Sequence, residues 1–324
     1  MILRSVGFAL LLAGTGMAAV DPALMNLVMP DAKILTGIQV DQSLASPFGQ
    51  YVLSQMQPGD PGFQKFVAAT GFNPTRDLQQ ILAATAPAAN PDATPNRDNL
   101  LILGRGTFQP SQITAAALAT GGTVTQYKGI GIITGPAEKD SHGAVAFLDS
   151  TTVVFGSLVQ IQGAIDRRIA GSTFTGSLAT SAQSVSATNQ AWFTTVTPLS
   201  DFLNGKLNGN LGNVSQGNLL QSVTAASGGV NFGSTAITVT ADAVTASNQN
   251  AQALVDVLKF LASMIQSNAN NQPAATLLSS ATIAANGTVA HISLVVPEQQ
   301  AEQLFIPGKP GMHKVKRPAA APAQ

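Results

Sequence analysis

The chain has 324 residues, of which 45% are apolar, 10% charged and 5% aromatic; Lys+Arg and Asp+Glu both number 16, and there are three His and no Cys. Soluble proteins average roughly 25% charged residues, so this one is poor in ions, while its apolar content excludes a wholly disordered chain. Zero net charge gives nucleic acid no electrostatic hold. The missing cysteines exclude disulfides, thiolate metal sites and a Cys nucleophile.

Residues 1–19 read as a secretory signal. Arg4 supplies the positive start, Val6 to Ala13 the apolar stretch, and Gly14 to Ala19 a mostly small region with a cut after Ala18 or Ala19. The apolar stretch is well short of the roughly 20 residues a membrane span needs. Leu254 to Ile265, the next best segment, is broken by Asp256 and Lys259. The expectation is an exported chain, periplasmic or secreted, with no transmembrane segment once mature. Charge is uneven along it: Val20 to Phe305 carries 11 basic against 16 acidic residues, whereas 306–324 has Lys309, Lys314, Lys316 and Arg317 and no acids. Four prolines in those last 19 residues predict a disordered, basic tail.

Ala32 to Val40 alternates as a strand, and Pro47 to Met56 follows as a helix. Phe63 to Thr70 has helical spacing, with Gly71 as its stop. Asn73-Pro74 then opens a helix predicted to reach about Ala84. With Arg76 its one cation, this pair lacks the basic recognition helix of a DNA-binding protein. Ala86 to Arg97 is loop, Leu100 to Phe108 a strand, Pro110 to Thr120 a helix and Thr123 to Thr134 a strand or hairpin. Ala144 to Phe155 reads as two strands around Asp149-Ser150. Ser157 to Ala170 is an amphipathic helix with Leu158, Ile161, Ile165 and Ile169 on one face.

The small, polar stretch 172–189 predicts a linker, after which the order repeats. Ala191 to Thr197 is a strand, Leu199 to Leu203 a short helix, 205–217 loop and Asn218 to Ala226 a helix. Ala236 to Val244 is a strand, and Asn250 to Gln266 a helix with Leu254, Leu258, Leu261 and Ile265 in one stripe. Ser280 to Val296 is a hairpin about Asn286-Gly287, and Pro297 opens a last helix to Phe305. The expected fold is α+β: two similar units, 20–171 and 190–305, each a mainly antiparallel sheet with helices on one face.

Chemistry is harder to find. In the hairpin, His291 falls on the face of Thr282 and Ser293, opposite Ile283, Ala290, Ile292 and Leu294. His142 sits in the run Glu138 to Gly143, where adjacent Asp140, Ser141 and His142 cannot face one another as a relay requires. His313 lies in the tail. Three scattered histidines without thiols give no expected metal site, and no cofactor motif is present. Gly129, Gly131 and Gly135 have the wrong spacing for a dinucleotide loop. Glu298 and Glu302 read as a solvated helix face, and so does Arg167-Arg168. One Trp and two Tyr (Trp192, Tyr51, Tyr127) provide few stacking platforms.

The stretch PDAKILTGIQVDQSLASPFGQ, with TGFNPTRDL further on, resembles uncharacterised exported proteins of environmental bacteria, acidobacteria among them. That resemblance implies export and carries no activity to any residue. The reading is an exported, non-catalytic binding or structural protein of the bacterial envelope, with an envelope protein or a second copy as partner. Weak contact of Lys314, Lys316 and Arg317 with an anionic surface accompanies it. Two alternatives stand beside it: a secreted hydrolase with dispersed catalytic groups and His142 or His291 as base, and a carrier with an apolar-ligand pocket between the units.

Overall fold

A computed structural model describes residues 19–55, 61–86, 99–136, 143–198, 221–267 and 272–304. The α+β class is borne out. The strands are β1 (Ile34–Gln39), β2 (Leu78–Thr85), β3 (Leu100–Gly106), β4 (Thr123–Tyr127), β5 (Ile130–Thr134), β6 (Ala144–Phe147) and β7 (Thr152–Gly156), then β8 (Ala191–Thr195), β9 (Val223–Phe232), β10 (Ala236–Thr245), β11 (Thr282–Asn286) and β12 (Val289–Pro297). They form one 12-stranded sheet in the order β11-β12-β10-β9-β8-β1-β2-β3-β7-β6-β5-β4, and every pairing is antiparallel. The two halves of the chain therefore share a sheet, joined at β1–β8. Outward from that seam each half runs as a three-strand meander. The chain then returns so that its last strand (β7 or β12) docks beside the third (β3 or β10).

Directly paired residues share a face. On one face a continuous row runs Ile132, Ala146, Val154, Leu103, Leu82, Gly37, Trp192. Its side chains are at most 3% exposed, because three helices cover them. These are α1 (Pro22–Met25), α7 (Leu158–Ala170) and α8 (Ser177–Ser186), which contribute Leu24, Ile161, Ile165 and Leu178 to the same core. Past the seam the row continues as Gly229, Thr240, Ser293 and Thr282, and the face turns polar. There the helices lie on the opposite face. α9 (Asn248–Ser267) packs Leu254 and Val255 against Ala290. α3 (Pro47–Gln55), α10 (Gln272–Leu278) and α11 (Glu298–Leu304) close over Ile237 and Val296 with Phe48, Leu277 and Ala301. In the first half that opposite face carries α2 (Val40–Ala45), α4 (Pro61–Thr70), α5 (Pro74–Asp77) and α6 (Pro110–Ala119). Phe72, Phe108 and Phe147 pack there with tilted rings, centroids 5.4 and 5.5 Å apart. No helix among the described residues is long and apolar enough to cross a membrane.

Five local expectations are corrected. The helix opened by Asn73-Pro74 lasts one turn, capped by the Asn73 side chain on Thr75 N, and Leu78 begins β2. Leu78, Ile81 and Leu82 fit both periods; ladders from β1 and β3 on either side decide for the strand, burying Gln80, Leu82 and Ala84 in alternation. The helix expected over 218–226 is β9 from Val223, where Gly228-Gly229 disfavours a helix and pairing to β8 and β10 is available. The stretch read as a linker contains α8, whose Leu178, Ala179 and Ala182 are buried. Small residues let that helix approach the sheet closely. In the last hairpin the two loop residues are Gly287 and Thr288, since Asn286 pairs with Val289. Gly287 at φ +58 takes the first central position of a II′ turn. The slip moves the register by two, so Thr282, His291 and Ser293 still share a face. On α7, Ile161 and Ile165 are buried, while Leu158 and Ile169 at the two ends of the expected stripe are exposed. The expected helix over 199–203 and the basic tail lie outside the described residues.

Candidate functional site

His291 has gained a carboxylate that its sequence neighbourhood did not offer. It pairs directly across strands with Asp242, Nδ1 to Oδ1 at 2.6 Å. Both side chains are about 40% exposed on the open polar face. His142, His313, Lys314, Lys316 and Arg317 lie outside the described residues. Glu298 and Glu302 are half-buried on α11, where the Glu302 carbonyl accepts from Tyr51 Oη at 3.1 Å. Among the described residues no group of three or more His, Cys, Asp or Glu is placed to hold a metal ion.

Among the described residues, charged side chains also converge elsewhere, in a cleft of about 310 Å³ on the covered face of the first half. Its lining includes Arg105, Arg167, Arg168, Asp149, Thr152 and Ser172. Arg105 follows Leu101 and Leu103 on the inward side of β3, so the strand carries a cation to the rim of the core. It reaches Asp21 at 3.3 Å and Thr152 Oγ1 at 3.2 Å. Asp149 sits in the β6–β7 turn, where its Oδ1 accepts from Thr151 N at 2.7 Å and Thr151 Oγ1 at 2.8 Å. Its Oδ2 accepts from Arg168 Nη2 at 2.7 Å. Gly171, at φ +62, ends α7, and Gly171 N and Ser172 N cap the carbonyls of Arg168 and Arg167. Capping turns the chain sharply there and leaves both guanidiniums at the helix end, where a cation suits the dipole.

Arg167 is the unusual member. Its Nε donates to the Leu27 carbonyl at 2.9 Å, whereas Nη2 is buried with no acceptor. Burial pushes this guanidinium below its ordinary pKa, against the pull of Asp31 and Asp166. An orphaned buried donor costs on the order of 1–3 kcal/mol, more when charged. The solvated helix face expected of Arg167-Arg168 is thus corrected: one arginine is half-buried, the other is paired to Asp149, and both line the cleft. One signal in the sequence pointed here. In LLILGRGTF the alternation that buries Leu101 and Leu103 also turns Arg105 inward.

Burial pushes the Asp149 carboxyl up, but the hydrogen bonds from Thr151 and Arg168 outweigh it and hold it at about 2. A depressed carboxylate stabilises the fold above its unfolded pKa and loses that contribution as pH falls through the folded one. Asp149→Asn should therefore cost about 1 kcal/mol near neutrality, the full shift being discounted for the exposure of the pair. Urea titrations of both proteins should show the gap closing between about pH 4 and pH 2. A gap independent of pH would refute the pairing.

No family model matches the chain, and no curated protein matches it. Solved structures do. Crystal form IV of TP0453, a Treponema protein, superposes with a TM-score of 0.50 at 13% identity, over 88% of this chain and 96% of that one. Form III gives 0.49 at 14% identity over 88% and 97%, and form I 0.47 at 13% over 89% and 97%. The chain is similar in fold to TP0453. At this identity the likeness is one of fold, and it assigns no site.

Proposed function

We propose that this chain is an exported binding protein of the bacterial envelope, built from two like halves on one sheet, that takes its ligand in the arginine-lined cleft. The observation that carries it is Arg167, a half-buried guanidinium lining the cleft whose Nη2 has no acceptor. Guanidiniums neither give up nor accept protons at physiological pH, so a cleft made of them holds charge and does not shuttle it. The oriented imidazole of His291 lies on β12, beside β10. β10 is five strand spacings from Arg105 on β3, or about 24 Å, too far to serve the cleft. The reading of two like halves is supported by the matching order of meander and return on either side of β1–β8.

Export rests on the leader, and the fold adds a constraint on where it is cut. Val20 is buried, with its N–H on Ser186 Oγ at 3.0 Å. Cleavage after Ala19 would put a charged amine at that buried nitrogen. Cleavage after Ala18 leaves the amine on exposed Ala19 and places small residues, Gly16 and Ala18, at the two positions before the cut that require them. Fractionated native cells should yield the protein in the envelope with Ala19 as its first residue by N-terminal sequencing, crosslinked there to its partner. A cytoplasmic protein that keeps Met1 would overturn the reading.

The hydrolase alternative retains one favourable observation, the His291–Asp242 bond. It requires ester turnover that disappears in His291→Ala.

A further inference from the structure

We infer that the cleft binds a phosphate group, and that Asp149 competes with that phosphate for Arg168. The inference rests on the cleft being the binding site and names what enters it.

Charge comes first. Arg105 has Asp21, and Arg168 has Asp149; among the described residues Arg167 has no carboxylate within ion-pair range. Three guanidiniums and one carboxylate, Asp149, line the cleft, while Asp31 and Asp166 pull on Arg167 from outside its lining; the lining itself is therefore net positive in a partly enclosed space, where attraction to an anion is stronger than in open water. Geometry comes second. The donors arrive from separate elements: Arg105 from β3, Arg167 and Arg168 from α7, and the hydroxyls of Thr152 and Ser172 from β7 and the residues after α7. A planar carboxylate can be satisfied by one guanidinium fork. A tetrahedral oxyanion presents acceptors in several directions and uses forks from several sides. The end of α7 opposes an anion, but the carbonyls of Arg167 and Arg168 there are already capped by the N–H groups of Ser172 and Gly171. The volume exceeds what inorganic phosphate alone would fill, leaving room for a group esterified to it.

Asp149 supplies the handle for a test. Its carboxylate stays ionised across the physiological range and holds Arg168 Nη2, so an incoming phosphate must displace or share it. Removing that charge should tighten phosphate binding, an effect opposite to that expected if Asp149 were merely structural. The Asp149→Asn change keeps a side-chain oxygen able to accept from Thr151 N.

The experiment is calorimetric titration of the purified full chain at low ionic strength with inorganic phosphate, glycerol phosphate and succinate. Arg167→Gln, Arg168→Gln and Asp149→Asn are titrated alongside, with Trp192 emission as a check on folding. The expected result is binding of phosphate, at least tenfold weaker in Arg167→Gln and Arg168→Gln and several-fold tighter in Asp149→Asn. Glycerol phosphate binding tenfold tighter than inorganic phosphate identifies an esterified phosphate as the natural source; equal binding identifies the free ion. Arg168 is on the surface, so its variant stays informative should Arg167→Gln fail to fold. The inference falls if neither phosphate binds, if succinate binds as tightly, or if Asp149→Asn leaves affinity unchanged. A chain that ignores phosphate yet crosslinks an envelope partner overturns the ligand alone.

Discussion

Gly37→Ala should destabilise the protein by about 3 kcal/mol, with a red shift in Trp192 emission. Gly37 lies on β1 directly opposite Trp192 on β8, at the ladder that joins the two halves of the sheet. A Cβ built there lands on the indole ring. Trp192 is rigid and 3% exposed, so it cannot swing aside as the end of a lysine might. Either the ring leaves the core or the strands part, and both expose apolar surface at the seam. As the lone tryptophan, the residue that suffers the clash also reports it. Thr36→Ala, one residue away on the other face, should cost under about 0.5 kcal/mol. Removing the obstruction should restore what the methyl took away: circular dichroism should find Gly37→Ala/Trp192→Leu less destabilised than the sum of its single changes. Strict additivity would mean that the clash is not the cause.

Leu103→Ala is the second large loss, about 2–5 kcal/mol. Leu103 is fully buried between Leu82 and Val154 in the row that backs α1, α7 and α8. Close-packed neighbours on both sides leave the site little freedom to collapse into the gap. Leu158→Ala on α7 removes the same atoms and is the informative control. Leu158 belongs to the amphipathic stripe legible in the sequence, yet it is 45% exposed and should cost under about 1 kcal/mol. Denaturant midpoints separate the two, and equal losses would contradict the burial described.

Legibility followed the strength of local signals. The strand pair around Asp149-Ser150 and the helix from Ser157 to Ala170 were readable, because turn residues and period agreed, and of the strand or hairpin expected over Thr123 to Thr134 the structure has the hairpin. Leu78 to about Ala84 and Val223 to Ala226 have helical spacing by sequence but lie in strands. Their few apolar residues fit either period, and only neighbouring strands decide between them. The candidate site was least legible. Arg105, Asp149 and Arg167 are far apart in the chain, and Arg167-Arg168 looks like any solvated helix edge until Gly171 ends the helix beside the β6–β7 turn.

Amphipathic spacing, capping residues and turn chemistry are local, and so the chain alone determined the existence of most helices and hairpins, the α+β class and the face on which His291 lies. Pairing between distant strands is not local. One sheet in place of two, the seam at Gly37 and Trp192, the partnership of His291 with Asp242 and the gathering of three arginines around a cleft were decided only when strands remote in sequence competed for the same ladder. That competition turns on backbone hydrogen bonds, which all residues but proline offer alike, and on burial, which no residue possesses by itself.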